Sequence, residues 1–286
     1  MSMLISSLLN GLHYGLILFL LAAGLSLTFG LMGVINLAHG SYFMVGAYIG
    51  WAVGDATGSF LVGLAAGVGV TAVLGWLTER FLLRRLHGEH LQQVLLTIGI
   101  VYIVMDLIKT AWGGTARLMA TPAILDSSVT FGSITYPLYR LALMGVGTVM
   151  AIFLWWFQEK TRLGAVVRAG VDDKQMVTAV GINIYLVFAL VFTLGTALAG
   201  FAGVMGAPVL GVYLTLDADV LVPAIAVVII GGLGSLKGAL AASILVGMVR
   251  TFTQAYSPGF TIMAIYAVVI VVLLIKPSGL FGAKGQ

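Results

Sequence analysis

No Asp, Glu, Lys or Arg occurs in residues 1–54, which read MSMLISSLLNGLHYGLILFLLAAGLSLTFGLMGVINLAHGSYFMVGAYIGWAVG. As one continuous α-helix this stretch would extend about 80 Å, more than twice the ~30 Å thickness of the hydrocarbon core of a bilayer. It therefore folds back across the membrane. Glycines at positions 30 and 33 provide a turn, so the sequence predicts a first span over residues 6–29 and a second over residues 34–53.

The composition of the whole chain is that of a membrane protein. Hydrophobic residues make up 60% of the 286 residues and charged residues 8%, against about 45–50% and about 25% in soluble domains. The 38 glycines suit close contact between transmembrane helices. The absence of cysteine excludes disulfides and cysteine-bound metals, and the scattered basic residues form no stripe for nucleic acid. The sequence predicts a single transmembrane domain over residues 1–286, embedded in a lipid bilayer.

Seven further apolar segments follow the first two. They lie over residues 60–83, 92–112, 138–157, 185–205, 220–233, 239–256 and 261–275. The predicted fold class is all-α, a polytopic transmembrane helical bundle of about nine spans, with eight and ten as the bounds. Residues 220–233 are short for a span and end in Gly231-Gly232-Leu233-Gly234, so a broken or re-entrant helix is the alternative there.

The positions of the basic residues indicate the orientation of the chain. Most of them follow the third, fifth and later spans on one side: Arg80, Arg84, Arg85, Lys160, Arg162, Arg168, Lys174, Lys237, Lys276 and Lys284. The others lie near the opposite ends of the spans: Lys109, Arg117, Arg140 and Arg250. Because cytoplasmic loops are enriched in Lys and Arg, nine spans place the N-terminus outside and the C-terminus in the cytoplasm.

Motifs of catalysis are missing from the sequence, which contains no HExxH, no GxSxG and no pair of carboxylates at helical spacing within a span. Asp106 is the only acidic residue well inside a predicted span; with Lys109 it forms either an intrahelical ion pair or part of an ion path. The segment GGLGSLKG at residues 231–238 is not a phosphate-binding loop, because Leu236 and Gly238 flank its lysine. We expect no catalytic residue, metal site or cofactor in this chain.

Two glycine-rich turns are candidates for a translocation pathway. In the first, Asn36 and His39 lie three positions apart, on one face of an otherwise apolar predicted helix. Polar groups inside a membrane either bond to neighbouring helices or line a water-filled path, and both interpretations stay open. The candidate pathway residues are Asn36, His39, Gly40, Gly231, Gly232, Gly234 and Ser235.

The hydrophilic segment over residues 159–184 contains a short amphipathic helix. Asp172 and Asp173 are typical of its cap and first turn, and Gly181 of the position beyond its last turn. One basic residue, Lys174, is too little for attachment to lipid, which favours a protein partner. The candidate contact residues are Asp172, Asp173, Lys174, Met176, Val177, Val180, Gly181 and Asn183.

Four segments of the chain resemble one transporter family. They are GLSLTFGLMGVINLAHGSYFMVGAYIG at residues 24–50, the stretch at residues 161–208, VVIIGGLGSLKGAL at residues 227–240 and LLIKPSGLFG at residues 273–282. They are similar to the LivH-type permeases, the membrane subunits of ATP-binding-cassette importers for branched-chain amino acids and related hydrophilic solutes. The resemblance covers nearly the whole chain. One departure is Lys237, where relatives commonly carry proline or another residue that shapes the turn.

The resemblance implies a set of partners in a bacterial inner (plasma) membrane. These are a second permease subunit, identical or homologous (LivM-like), two cytoplasmic ATPases that hold ATP and Mg, and a periplasmic solute-binding protein. The helix around residues 172–183 matches the family's coupling helix, which contacts the ATPase. The family also contains two inverted halves, which would relate the turn at residues 30–40 to that at residues 231–238. Branched-chain amino acids head a list of solutes that includes urea, short amides and aromatic acids.

Two other functions are compatible with this composition. A stand-alone secondary carrier or channel would move a small solute without ATPase subunits, and an intramembrane enzyme would turn over its substrate without partners. The scarcity of carboxylates within the spans argues against a proton-coupled carrier.

Overall fold

The computed structural model describes residues 2–33, 36–131 and 134–282. Within these residues the chain forms eleven α-helices and one antiparallel hairpin. The helices are α1 (Ser2–Met32), α2 (His39–Thr57), α3 (Phe60–Leu77), α4 (His90–Trp112), α5 (Leu138–Lys160), α6 (Arg162–Asp172), α7 (Lys174–Ala179), α8 (Ile184–Leu210), α9 (Leu216–Gly231), α10 (Leu236–Tyr256) and α11 (Thr261–Ile275). The hairpin joins β1 (Ser128–Phe131) to β2 (Ile134–Pro137).

All these helices except α6 and α7 correspond to the predicted spans, which confirms the all-α polytopic fold. Seven helices in the described part of the chain are long and apolar enough to cross a membrane, and α2 and α9 fall below those criteria. The first boundaries differ from the prediction, because α1 continues to Met32 and α2 begins at His39; the predicted start at position 34 lies outside the described residues. A π-helical turn (Thr78–Leu82) and a 3₁₀ turn (Leu83–Leu86) extend α3.

The two central helices, α1 and α8, cross at glycines. From His13 to Thr28, α1 is buried on every side. A Cβ atom added to Gly24 would lie 2.6 Å from the carbonyl oxygen of Gly195 in α8. Small residues at such a crossing let two backbones approach, so that dispersion contacts hold helices together where lipid removes the hydrophobic driving force.

The packing of the other helices is duplicated around this crossing. In one half, α3 packs along α8, and α2 packs on both of them. In the other half, α10 packs along α1, and α9 packs on both of them. The two central helices are antiparallel, because Leu31 at the end of α1 and Ile184 at the start of α8 both lie beside Gly170 of α6. Matching contacts between antiparallel halves are the pattern of an inverted repeat. The repeat relates α1–α4 to α8–α11, so two halves are present as the family resemblance implies. The predicted correspondence of residues 30–40 with residues 231–238 is wrong, because the turn before α2 corresponds to the turn before α9, at residues 211–215.

Hydrogen bonds attach the segment between α4 and α5, residues 113–137, to the bundle. The backbone N–H groups of Arg117 and Val212 each donate to the other residue's carbonyl oxygen, at 2.7 and 2.9 Å. The hydroxyl of Tyr136 in β2 donates to Asn10 Oδ1 of α1 over 3.1 Å. Since α5 leads from this segment to α6, the segment covers the end of the bundle opposite α6 and α7.

Candidate functional site

The first candidate pathway residues lie where α2 begins inside the bundle. His39 is the first residue of α2, and its ring Nε2 lies 3.1 Å from the carbonyl oxygen of Leu21. Leu21 is eleven residues from the end of α1 at Met32, a distance of about 16 Å along a helix. The chain therefore turns back beyond α1 and starts α2 well inside the bundle, which is the behaviour of a broken transmembrane helix.

The predicted placement of Asn36 on one helix face with His39 is wrong. Asn36 precedes α2, and its Oδ1 accepts a hydrogen bond from the backbone N–H of Ala38 over 3.1 Å. A side chain that binds a backbone N–H two residues ahead competes with helix formation and favours a turn. Asn36 and His39 are nevertheless both buried, at 1% and 0% exposure, so the turn packs within the protein.

The start of α9 lies opposite the start of α2, at a buried carboxylate. Ser41 Oγ donates a hydrogen bond to Asp217 Oδ2 over 3.3 Å, and the N–H of Ala218 donates to Asp217 Oδ1 over 2.8 Å. Gly40 approaches the backbone of Asp217 so closely that a Cβ would clash with it. The carboxylate therefore lies among the partly positive N-terminal ends of two helices. Asp217 is not among the candidate residues predicted from sequence, although Asp217 and Asp219 together are a signal for the first turn of a helix.

Asp106, which the sequence analysis singled out instead, lies on an exposed face of α4. The ion pairs in the described part of the chain all involve Glu159, so the predicted pair between Asp106 and Lys109 is not formed. Hydropathy places a residue within a span but does not indicate which face of the helix it occupies. The carboxylates of Asp217 and Glu79 are buried, and that of Asp106 is not.

The second candidate turn joins α9 to α10 and requires its glycines. Gly232 and Gly234 have φ angles of +96° and +78°, which residues with a Cβ rarely adopt. Gly30 of α1 packs on this turn, and a Cβ on Gly30 would lie 2.7 Å from the Gly234 Cα. Ser235 caps α10, because its Oγ accepts a hydrogen bond from the N–H of Gly238 over 3.0 Å. The turn is consequently a close-packed junction between the two repeats.

The two candidate turns lie at opposite ends of α9. Gly40 contacts Asp217 at the start of the helix, and Gly231 is its last residue, about 21 Å farther along the axis. The structure therefore separates the predicted pathway residues into two groups rather than bringing them into a single site.

The segment over residues 159–184 forms two helices in place of the single one predicted. Asp172 is the last residue of α6, and Asp173 is the N-cap of α7, where its Oδ1 accepts from the N–H groups of Gln175 and Met176 over 2.8 and 3.0 Å. The predicted pairing of Asp172 with Asp173 at one helix start is therefore wrong. A cap needs a residue in extended conformation, and the backbone of Asp173 (φ −151°, ψ 102°) is extended between the helices.

The far end of α7 has the predicted glycine. Gly181 has a φ of +85°, and its N–H donates to the carbonyl oxygen of Thr178 over 3.0 Å, while the N–H of Ile182 donates to that of Val177 over 3.3 Å. This pair of bonds is the Schellman motif that ends helices at a left-handed residue. Asn183 then caps α8 by accepting from the N–H of Leu186.

The apolar residues of α7 divide between two faces. Val177 is 4% exposed and packs on the bundle, whereas Met176 and Val180, the capping residue directly after the helix, are 62% and 67% exposed. The ammonium group of Lys174 donates to the carbonyl oxygen of Met32 over 3.4 Å, which attaches α7 to the end of α1. Met176 and Val180 are four positions apart and share one face, so α7 presents an apolar pair away from the protein.

Ionic and aromatic contacts surround this segment. Glu159 of α5 lies 3.8 Å from Arg168 of α6 and 3.3 Å from Lys237 of α10, so Lys237 links the glycine turn to the base of α5. The His87 ring stacks on Phe188 with 5.0 Å between centroids. Burial lowers the pKa of His87, which keeps its ring neutral at neutral pH. These contacts join α3, α5, α6, α8 and α10 beside α7.

Comparison with known proteins identifies the family. Residues 7–275 match the family described as "Branched-chain amino acid transport system / permease component". The chain belongs to this permease family. Membership confirms the resemblance to LivH-type permeases and a transport function rather than a catalytic one.

Relatives match along nearly the full length of the permease. The high-affinity branched-chain amino acid transport system permease protein LivH of Escherichia coli (strain K12) is 28% identical, over 97% of this chain and 95% of that protein. BraD of Pseudomonas aeruginosa is also 28% identical, over the same shares. LivM of Salmonella typhimurium is 24% identical, over 93% of this chain and 68% of that protein. PsaBC from Streptococcus pneumoniae has a similar fold, with a TM-score of 0.52 at 16% identity over 94% of this chain and 91% of that chain.

Proposed function

We propose that this permease is the membrane-spanning subunit of an ATP-driven importer, in which separate ATPase subunits hold ATP and Mg. The relatives LivH and BraD are permease proteins of branched-chain amino acid transport systems, so branched-chain amino acids are the first candidate solutes. Urea, short amides and aromatic acids are the others.

The importer would contain two permease subunits, two ATPases and a periplasmic solute-binding protein. A match to LivM as well as to LivH supports a second, homologous permease. The distribution of Lys and Arg supports an N-terminus outside and a C-terminus in the cytoplasm of a bacterial inner membrane. In that orientation α6 and α7 lie in the cytoplasm, where ATPase subunits would reach them.

The outward face of α7 carries this proposal. Met176 and Val180 form an exposed apolar pair on a helix that is fixed at both ends, by the Asp173 cap and the turn at Gly181. Val177 and the contact from Lys174 hold that helix against the bundle. A short helix held in this way would transmit a push from a partner to α1 and α8 without first folding.

The two glycine turns would border the path of the solute. Asn36, His39 and Gly40 lie at the start of α2, and Gly231, Gly232, Gly234 and Ser235 lie between α9 and α10. At both places a helix begins or ends inside the contact between the repeats, and a movement of one repeat against the other would alter the junction.

The test is ATP-dependent uptake by the assembled importer in vesicles. Met176→Asp places a charge on the apolar contact and should lower uptake about tenfold or more, the usual size of a loss at the centre of an interface. Met176→Leu keeps the apolar surface and serves as the matched control, with uptake close to wild type. Equal uptake by both variants, at equal amounts of inserted protein, would contradict an ATPase contact at α7.

A stand-alone carrier or channel makes the opposite prediction. The purified permease alone, reconstituted in sealed vesicles, should not accumulate leucine under a proton or sodium gradient. Accumulation without ATPase subunits would overturn the proposal.

A further inference from the structure

A polar cavity of about 420 Å³ lies at the end of the bundle opposite α6 and α7, between α1, α8, α10 and the start of α5. This volume is within the range of small-molecule sites, about 300–1,000 Å³. The wall of the cavity includes the polar side chains of Asn10, His13, Tyr14, Arg140, Arg250 and Gln254. None of them belongs to the glycine turns or to α7.

The cavity is cationic. Arg140 and Arg250 both line it, and no Asp or Glu does. Among the described residues, Glu159 is the carboxylate in every ion pair, and its partners are Arg168 and Lys237. Neither Arg140 nor Arg250 therefore lies within 4.0 Å of a carboxylate in that part of the chain. Arg140 Nη1 donates to Asn10 Oδ1 over 2.9 Å, and the Arg250 guanidinium lies over the Tyr14 ring at 4.0 Å from its centroid. These neutral partners orient both cations. Asp219 borders an adjoining cavity that Arg250 also lines, and there it accepts a hydrogen bond from Tyr213. Arg140 does not line this adjoining cavity.

Two buried side chains in the same wall have hydrogen-bonding atoms without partners. His13 is 3% exposed and Tyr14 is 8% exposed. Among the described residues neither His13 Nε2 nor Tyr14 Oη has a hydrogen-bond partner. A buried polar atom left in this state is unfavourable, and native proteins rarely leave one without a protein, water or ligand partner. The phenol of Tyr14 and a His13 ring protonated at Nε2 are hydrogen-bond donors, and both residues belong to the wall of the cavity.

We propose that this cavity binds the carboxylate group of a small solute. Two guanidinium groups provide the planar donors that carboxylates accept, and the imidazole and phenol add donors that need no charge of their own. A urea or a simple amide would occupy the cavity without compensating either cation. The inference rests on the proposed transport function and narrows its solutes: amino acids and aromatic acids fit this cavity, and urea and short amides do not.

The test compares the binding of matched acids and amides to the full-length permease in lipid nanodiscs, without ATPase subunits or a solute-binding protein. The probes are 4-methylpentanoate against 4-methylpentanamide and benzoate against benzamide, measured by calorimetry. We expect the acid of at least one pair to bind about tenfold or more tightly than its amide, as charge-assisted hydrogen bonds imply. Equal binding within both pairs would overturn the proposal.

Charge removal then identifies the site. Arg140→Gln and Arg250→Gln should each weaken binding of the acid about tenfold and leave binding of the amide unchanged. Arg117→Gln is the matched control, because Arg117 lies at the same end of the bundle, over the Trp51 ring, but does not line the cavity. If one cavity variant fails to insert, the other tests the site. Acid binding that is unchanged in the inserted cavity variants would also overturn the proposal.

A carboxylate could instead come from the side chain of a docking protein, and the experiment separates the two sources. If the cavity variants bind the free acids like wild type but capture less of the solute-binding protein, the arginines dock a protein and the proposal is wrong. The Met176→Asp variant separates the proposal from the transport function: it should lose ATP-dependent uptake and still bind the acid with wild-type affinity. Uptake by the chain alone would refute the ATP-driven importer and leave the acid-binding result unaffected.

Discussion

Ser41 of α2 and Asp217 of α9 are joined by a hydrogen bond of 3.3 Å at the point where these two helices begin. Both residues are buried, at 1% and 6% exposure. Because α2 and α9 occupy corresponding places in the inverted repeat, nearly equivalent positions of the two halves meet in this one contact. The contact therefore links the two repeats at their centre.

We expect Asp217→Ala to lower the stability of the detergent-solubilised permease by about 1–3 kcal/mol, because the Ser41 hydroxyl and the Ala218 N–H would lose a buried acceptor. Asp217→Asn keeps an acceptor oxygen and should retain most of the stability. Thermal unfolding measures the difference.

Substitution of Ser41, the hydrogen-bond partner of Asp217, tests whether the contact itself causes the loss of stability. Ser41→Ala should add little to Asp217→Ala when the two are combined, since residues that share one bond are not additive. Ser243→Ala is the matched control, because the buried Ser243 hydroxyl bonds only to Leu240 O in its own helix, and its effect should be additive. Full additivity of Ser41→Ala and Asp217→Ala would refute the contact.

The crossing of α1 and α8 provides a steric prediction. Gly24→Ala should destabilise the permease by about 1–3 kcal/mol, because the new Cβ would lie 2.6 Å from the Gly195 carbonyl oxygen and must push the two backbones apart. Gly69→Ala is the matched control: Gly69 lies in α3, and no atom lies within 4 Å of a Cβ there, so alanine's higher helix propensity should leave stability unchanged or slightly raised. Equal destabilisation by both substitutions would contradict the close approach at Gly24.

The spans could be predicted from sequence, but where a helix starts inside the bundle could not. The inverted repeat followed only from the family resemblance, and glycine placement alone paired the wrong turns. Hydropathy extends the second span back to residue 34, because a window average does not detect one side chain that binds a backbone N–H. Asn36 does this at Ala38, and α2 starts at His39.

Burial of single polar residues was equally hard to predict. Asp217 lies outside the predicted spans, just before the one that begins at residue 220, yet it is buried where the two repeats meet. His13 and Tyr14 lie in the apolar first span, and their local sequence does not indicate a cavity, because the arginines that complete it are more than a hundred residues away in sequence. Contacts of this range depend on how the helices pack, which local patterns do not encode.

The cap of α7 should affect transport and not only helix stability. Asp173→Ala removes the acceptor for the N–H groups of Gln175 and Met176, which destabilises a helix start by about 1 kcal/mol. Because α7 has only six residues, we expect this loss to unfold it part of the time and to lower ATP-dependent uptake. Asp173→Ser restores a capping oxygen without the charge and should restore uptake. Failure of serine to rescue would indicate that the charge of Asp173, rather than its cap, is required.

The orientation of the bundle can be tested by labelling, since the chain has no cysteine. Ile124, in the segment between α4 and α5, is 89% exposed, and Met176 in α7 is 62% exposed. With the N-terminus outside, a membrane-impermeant maleimide should modify Ile124→Cys in intact spheroplasts and Met176→Cys only after the membrane is permeabilised. Both sites react in the purified protein if they are accessible, which controls for local reactivity. Labelling of Met176→Cys alone in intact spheroplasts would reverse the orientation and place α7 out of reach of any cytoplasmic ATPase.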